Sequence, residues 1–323
     1  MLTSTKMDRV AVTGAAGVIG RELLDRLIAR GCTVLALDRE ELPPVLAARV
    51  RFMRVELSQG GMDEVTAFAP DTVFHLAAAF ERSREESGFW ETNARDNLAV
   101  THRLHEALRK IESVRRYVFA SSYLIYRPEL YLFDAAQEIA RPLVESDAAR
   151  PRNLCGAAKY LAESEIDFLV HVDRRPLSAV SARIYRVYGR GSRDVVSRWT
   201  RSLLGGEPIA LYNAQNRFDY VFAGDVAEGL VRLADAAQPG HAIVNLGTGR
   251  ARSVGEVVEV LARRINATRG LVRTGEQEPV FEASAADTTR FKALTGWVPG
   301  TTIEDGIDRL IAYERGRLAA DAA

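Results

Sequence analysis

The chain has 323 residues, 47% hydrophobic and 27% charged, enough to bury a sizeable core without disulfide or metal staples. Lysine plus arginine number 43, as do aspartate plus glutamate, so no positive surplus argues for nucleic acid. Two cysteines, Cys32 and Cys155, do not make a disulfide framework and suit a reducing compartment. Residues 1–9 are short and polar, and no apolar run reaches about 18 residues. Neither a leader nor a membrane span is expected, and the cytoplasm is the expected compartment.

In chain order, Val10-Ala11-Val12 reads as a short buried strand followed by a glycine-rich turn. Leu23, Leu24, Leu27 and Ile28 then share one helical face, and Gly31 ends that helix. Residues 33–37 form a second strand closing on Asp38, and Thr72-Val73-Phe74 a further one running into His75-Leu76-Ala77-Ala78. Leu98, Leu104 and Leu108 mark an amphipathic helix with Asn97 at its head, and Tyr117-Val118-Phe119 a strand ending at Ser121-Ser122. A helix over 153–172 and a strand over 177–187 complete this half. Apolar strands alternating with helices predict an α/β fold, a Rossmann-type doubly wound parallel sheet covered on both faces. After Gly189 helices are predicted over 192–204, 226–237, 254–264 and 303–315, between shorter strands. The expected division is a Rossmann domain over 1–188, with 218–246 partly returning to its sheet, and a smaller α/β substrate lobe over 189–323. The alanine-rich tail after Leu318 is expected to fray.

The turn Gly14-Ala15-Ala16-Gly17-Val18-Ile19-Gly20 places three glycines between a strand and a helix. Gly14 permits a tight turn, Gly17 lets backbone approach a pyrophosphate, and Gly20 lets the helix pack closely. Ala16, Val18 and Ile19 offer backbone N–H groups at the helix start to the anion. Asp38, 18 residues beyond Gly20, can accept from the adenosine ribose hydroxyls and repels a 2′-phosphate. The pattern predicts NAD as cofactor; Arg39, next to Asp38, is the one residue that could favour NADP instead.

These motifs, with His75-Leu76-Ala77-Ala78, Asn97 and Ser121-Ser122, resemble the extended short-chain dehydrogenase/reductase superfamily, in its nucleotide-sugar epimerase and dehydratase branch. Arg183-Ile184-Tyr185-Arg186-Val187-Tyr188-Gly189, Phe218-Asp219-Tyr220-Val221-Phe222, Asp225-Val226-Ala227, Asn245-Leu246-Gly247-Thr248-Gly249 and Gly296-Trp297-Val298-Pro299 extend the likeness over almost the whole chain, in the family's order. The resemblance implies transient oxidation of a sugar hydroxyl with NAD, and cofactor contacts from Leu76, Ala77, Ala78, Asn97, Ser121 and Lys159. It also implies that Ser122 shares a hydrogen bond with the reacting hydroxyl. A tyrosine four residues before Lys159 would take the proton.

Cys155 stands at that tyrosine position. Three readings are open. Cys155 is the acid/base, its thiol starting near about 8.5 with Lys159 alongside. A nearby phenol replaces it, Tyr123 first, with Tyr126 and Tyr160 as further candidates. Or Cys155 is a small buried residue and hydride chemistry is lost or altered. Tyr123 and Leu124 occupy the positions where dehydratases carry an acidic pair, which favours epimerisation, with oxidation or decarboxylation as alternatives. An NAD(H)-binding sensor or scaffold is the alternative of another class.

The substrate implied is a nucleotide-diphosphate sugar. Arg186, Arg217 and Arg273 are candidates for its diphosphate, with Arg198 near the lobe entrance. Tyr212 can stack on a base or lie in the core. His75 reads as a core histidine, and no cluster has metal-ligand spacing. The helices beginning near Asn97 and Asn153 form a dimer interface in many relatives, so a homodimer is expected.

Overall fold

The computed structural model describes residues 6–80, 88–236, 238–267, 271–275 and 280–321. Seven parallel strands form the main sheet: β1 (Arg9–Thr13), β2 (Thr33–Asp38), β3 (Arg51–Arg54), β4 (Thr72–His75), β5 (Arg116–Ser122), β6 (Ser178–Ile184) and β7 (Gly240–Leu246). Their spatial order is β7-β6-β5-β4-β1-β2-β3. The order reverses at β1, so a crevice opens at the carboxyl ends of β1 and β4.

Alternation along each strand feeds two cores. Val10 and Val12 face one side, packed by Leu23, Leu24 and Leu27 of the helix Val18–Ala29 and by Leu230 and Leu233 of the helix Ala223–Ala236. Ala11, Leu35, Val73, Tyr117 and Phe119 face the other, under Leu104, Leu108, Ala162 and Ile166. The helix Val18–Ala29 ends where Gly31 takes φ +75° and its N–H reaches Ile28 O at 3.0 Å.

The second lobe differs from expectation in how it is strung. The strand expected over 177–187 breaks at Tyr185, and Arg186–Tyr188 leaves the main sheet to pair in parallel with Arg217–Phe222, Tyr220 opposite Arg186. Of the segment expected to return, Gly240–Leu246 does so as an edge strand, whereas Arg217–Phe222 stays at the centre of the second sheet. There it also pairs with Ala251–Ser253 and with Phe281–Ala286. Two short strands from the first half, Leu132–Phe133 and Arg141–Leu143, join Phe281–Ala286 as well. Polar side chains in the strands explain the preference: Asp219 is fully buried and accepts from Thr248 N (2.8 Å), Gly249 N (2.8 Å) and Ala286 N (3.1 Å), all within the lobe. The helices Val195–Leu204, Val254–Ile265 and Ile303–Asp321 enclose its core, and the last extends past Leu318 to Asp321, into the tail expected to fray; residues 322–323 lie outside the described residues. Among the described residues no helix is long and apolar enough to cross a membrane.

Gly20 makes the tightest glycine contact with backbone among the described residues. A Cβ there would overlap Gly14 O and lie 2.6 Å from Ala15 O, backbone atoms that cannot swing aside. Gly20→Ala is therefore expected to cost about 1–3 kcal/mol through overpacking. A thermal melt checks this, and an unchanged midpoint would show that the turn can give way.

Candidate active site

The glycine turn lies against the segment after β4. Gly14 has φ +73°, and a Cβ on it would lie 2.6 Å from Ala77 N. Leu76 N donates to Thr13 O at 3.0 Å, so Leu76, Ala77 and Ala78 form the wall facing the turn. Ala16, Val18 and Ile19 are part-exposed, Gly17 is exposed, and Gly17, the N-cap, makes no side-chain cap bond. The result is a cradle of backbone at a helix N-terminus, which fits a pyrophosphate, although the Ala16 N–H expected to serve the anion is taken by the Asp38 carboxylate.

Asp38 reaches over this cradle, accepting from Ala16 N at 2.8 Å and Glu40 N at 2.9 Å. Arg39 turns away from it. Its guanidinium pairs with Asp96 at 3.2 Å and Glu56 at 3.7 Å. Arg95, bonded at 2.6 Å, and Arg39 hold the Asp96 carboxyl below the usual carboxylate range. A 2′-phosphate would meet Asp38, and the two cations nearby, Arg39 and Arg54, the strand partner of Asp38, are both already paired with carboxylates, so the residues fit NAD.

Asn97 does not head a helix. It lies inside a continuous helical run, in a π-turn over Ala94–Ala99 that follows Phe89–Asn93. From there its side-chain oxygen accepts from Ala79 N at 2.7 Å and its amide donates to Ala79 O at 2.9 Å. The residue thus positions the 76–79 wall. His75 is fully buried between Thr13 (2.7 Å) and Thr101 (2.9 Å), and desolvation depresses its pKa well below the usual histidine value, which makes it a neutral core residue.

Ser121 and Ser122 point to different partners. Ser121 donates to buried Glu163 at 2.6 Å, and Glu163 is clamped by Arg183 at 2.7 and 3.1 Å, so only the Ser121 backbone is left for a cofactor. Ser122 is half-buried, and its oxygen accepts from Leu124 N at 3.2 Å, which leaves its proton to donate.

The helix Leu154–Asp167 begins at Asn153, whose side chain accepts from Gly156 N at 2.8 Å. A Cβ on Gly156 would lie 2.6 Å from Leu124 O, so this first turn sits directly on the segment after Ser122. Cys155 and Lys159, one turn apart, are 3% and 8% exposed on the buried face. The Cys155 sulfur lies 3.9 Å from Ala79 O. The Lys159 ammonium sits 4.6 Å above the Phe119 ring, with no carboxylate pairing it among the described residues. Burial lowers its pKa while Cys155 acts to raise it.

The substitute phenols are committed elsewhere. Tyr123 donates to Glu282 at 2.9 Å, and its burial pushes its pKa well up. Tyr126 donates to Asn245 at 2.7 Å and is pushed up to about 12 by burial. Tyr160 is 42% exposed on the outer side of its helix.

The arginines divide similarly. Arg186 lies at the sheet end, 3.6 Å from Glu282, with its guanidinium 3.7 Å above Phe218. Arg217 donates to Gln137 O at 3.2 Å and lies 3.6 Å from Glu256. Arg198 and Arg273 are exposed on the lobe, and Tyr212 is exposed with its ring over Gly275. Sequence reasoning missed the ion pair of buried Glu282 with the part-exposed Arg152. Glu282 lies outside every motif, and Arg152, just before the Asn153 cap, carries no signal of its partner; only strand pairing brings Glu282 beside Tyr123.

Residues 10–247 match the NAD dependent epimerase/dehydratase family. The UDP-glucose 4-epimerase of Mycolicibacterium smegmatis is 28% identical over 333 aligned residues, covering 96% of this chain and 99% of that protein. Among solved structures, MoeE5 in complex with UDP-glucose and NAD superposes with a TM-score of 0.82 at 30% identity, over 96% of this chain and 99% of that one. The UDP-glucose 4-epimerase of Thermus thermophilus, a complex with NAD, gives 0.78 at 26% identity over 95% and 99%. Cradle, carboxylate and sheet order agree with these likenesses, and the chain belongs to the NAD-dependent epimerase/dehydratase family.

Proposed function

We propose that this chain epimerises a nucleotide-diphosphate sugar through a transient keto sugar, with Ser122, Cys155 and Lys159 around the reacting hydroxyl. The observation that carries the reading is the buried pairing of Cys155 and Lys159 on a helix turn pressed against the segment after Ser122. NAD supplies the hydride acceptor and returns the hydride, so the cycle is redox-neutral. Ser122 donates to the sugar oxygen and holds it. Cys155 takes its proton, and Lys159 provides the positive charge a thiolate needs. Asp38 holds the adenosine ribose, and the cradle at Gly14, Gly17 and Gly20 takes the pyrophosphate. Arg217 and Arg273 are the arginines assigned to the substrate diphosphate. The reading includes a cytoplasmic homodimer through the helices over 89–110 and 154–172; it is supported by Leu161, Phe168 and Val172, which lie exposed along one helix face.

Purified protein is expected to release NAD(H) on denaturation, and Asp38→Ala to weaken NAD binding by about tenfold, the worth of hydrogen bonds to a charged group. Release of NADP(H) alone would refute the Asp38 argument. With UDP-sugars as probes, Cys155→Ala is expected to lower turnover at least about 100-fold while NAD stays bound. Tyr123→Phe, which removes a bond to Glu282, should cost less than about tenfold. Undiminished turnover in Cys155→Ala would take the thiol out of the mechanism.

A further inference from the structure

The carboxyl ends of β5 and β6 carry a second polar cluster beside the proposed reacting centre. Ser122 pairs in register with Ile184, so the next residues, Tyr123 and Tyr185, stack with ring centroids 5.0 Å apart, and Arg186 follows. Behind them Glu282 accepts from Tyr123 at 2.9 Å and Ser284 at 3.1 Å. Its other oxygen is bonded by Arg152 and lies 3.6 Å from Arg186. The layering is asymmetric. Arg152 and Arg186 keep 34% and 36% of their side chains exposed, against 3% for Glu282. The anion is therefore buried at the back and two guanidiniums form the front.

Several donors in and beside this cluster are unfilled, the Tyr131 and Tyr185 hydroxyls among them, and two lie at the Arg186 side chain. Arg186 Nε and the Tyr220 hydroxyl are buried with no partner among the described residues, and Tyr220 is 6% exposed. Tyr220 is Arg186's register partner on the neighbouring strand. Burial raises the pKa of Tyr123 and Tyr220, so both remain protonated donors. Phe218, under the Arg186 guanidinium, fixes its plane.

Buried donors without partners are costly, and a half-buried surplus cation favours an anion that can fill them. A neutral hydroxymethyl group could satisfy one donor but would leave the charge. A planar, acceptor-only group of single negative charge satisfies both, and it matches the arginine fork. Arg186 lies two residues past Ile184, the register partner of Ser122, so such a group belongs to the sugar ring and not to the distant end of the nucleotide. We propose that Arg152 and Arg186, held together by Glu282, form a carboxylate subsite, and that the substrate is a nucleotide-linked uronate. The inference rests on the nucleotide-sugar reading above.

The test is titration calorimetry of the NAD-loaded full chain with UDP-glucuronate, UDP-glucose and UDP. Wild type is expected to bind UDP-glucuronate at least about tenfold more tightly than UDP-glucose. Arg186→Gln should erase that preference while affinities for UDP-glucose and UDP stay within about twofold. Arg186→Lys keeps charge without the fork and should retain part of the preference; it is read instead if the glutamine variant does not fold. Equal affinity for the two sugars in wild type would overturn the subsite. So would a parallel loss of all three ligands in Arg186→Gln, which would put the arginine on the diphosphate. If none of the three binds while NAD does, the nucleotide-sugar reading fails and the subsite falls with it.

Discussion

Backbone lying directly on backbone is the constraint on which this site depends. The helix Val18–Ala29 can approach the turn because Gly20 presents no Cβ to Gly14 O, and Gly14 can meet Ala77 for the same reason. At the other end of the site Gly156 lets the helix Leu154–Asp167 settle on Leu124 O. One contact places the cofactor helix and the other the helix bearing Cys155 and Lys159. Any methyl at these points would move a whole element, since neither side of the contact has a rotamer to change. The chemistry is thus positioned by the absence of side chains.

Beneath that surface, buried charge fixes the helix laterally. Glu163 lies one turn beyond Lys159 and bonds both Arg183 of β6 and Ser121 of β5. Arg183 also covers the Tyr126 ring at 4.7 Å. A pair so buried gains little net stability, but each partner would be costly to leave alone, so its effect is to specify one seating of the helix. Lys159 then stands at a set height over Phe119, one turn from Cys155, whose sulfur lies 3.9 Å from the Ala79 carbonyl. Asn97 holds Ala79 from the far side, in the π-turn that re-aims its amide.

Much of this was legible in the sequence because its local rules were strong. Glycine spacing, Asp38 and alternating apolar strands point to the doubly wound sheet without knowledge of contacts. What escaped was non-local. Arg186–Tyr188 and Arg217–Phe222 look like ordinary apolar strands, and nothing in their composition says which sheet they join. Glu282 and Arg152 are 130 residues apart, so their pairing is invisible until the strand Phe281–Ala286 is placed. Asn97 was expected at a helix head and lies instead inside a helical run, since a π-turn leaves no signature in periodicity. Several late landmarks also proved to be ties within the fold. Asp219 fastens the turn at Thr248 and Gly249, and Asp225 accepts from Gly300 N at 2.8 Å and Thr301 N at 2.7 Å.

The broken strand at Tyr185 bears on how the molecule comes apart. A single residue separates a strand of the main sheet from one of the second, and the helix Ala223–Ala236 carries the chain back from the second sheet onto the helix Val18–Ala29. Segments before residue 150 are woven into the lobe through Phe281–Ala286. Neither half owns a continuous stretch of sequence, so neither can be cut out and expected to fold. Loss of the second sheet would tug on the main one through a one-residue tether. The two halves therefore melt as one cooperative unit, and a ligand gripping either lends its binding energy to both.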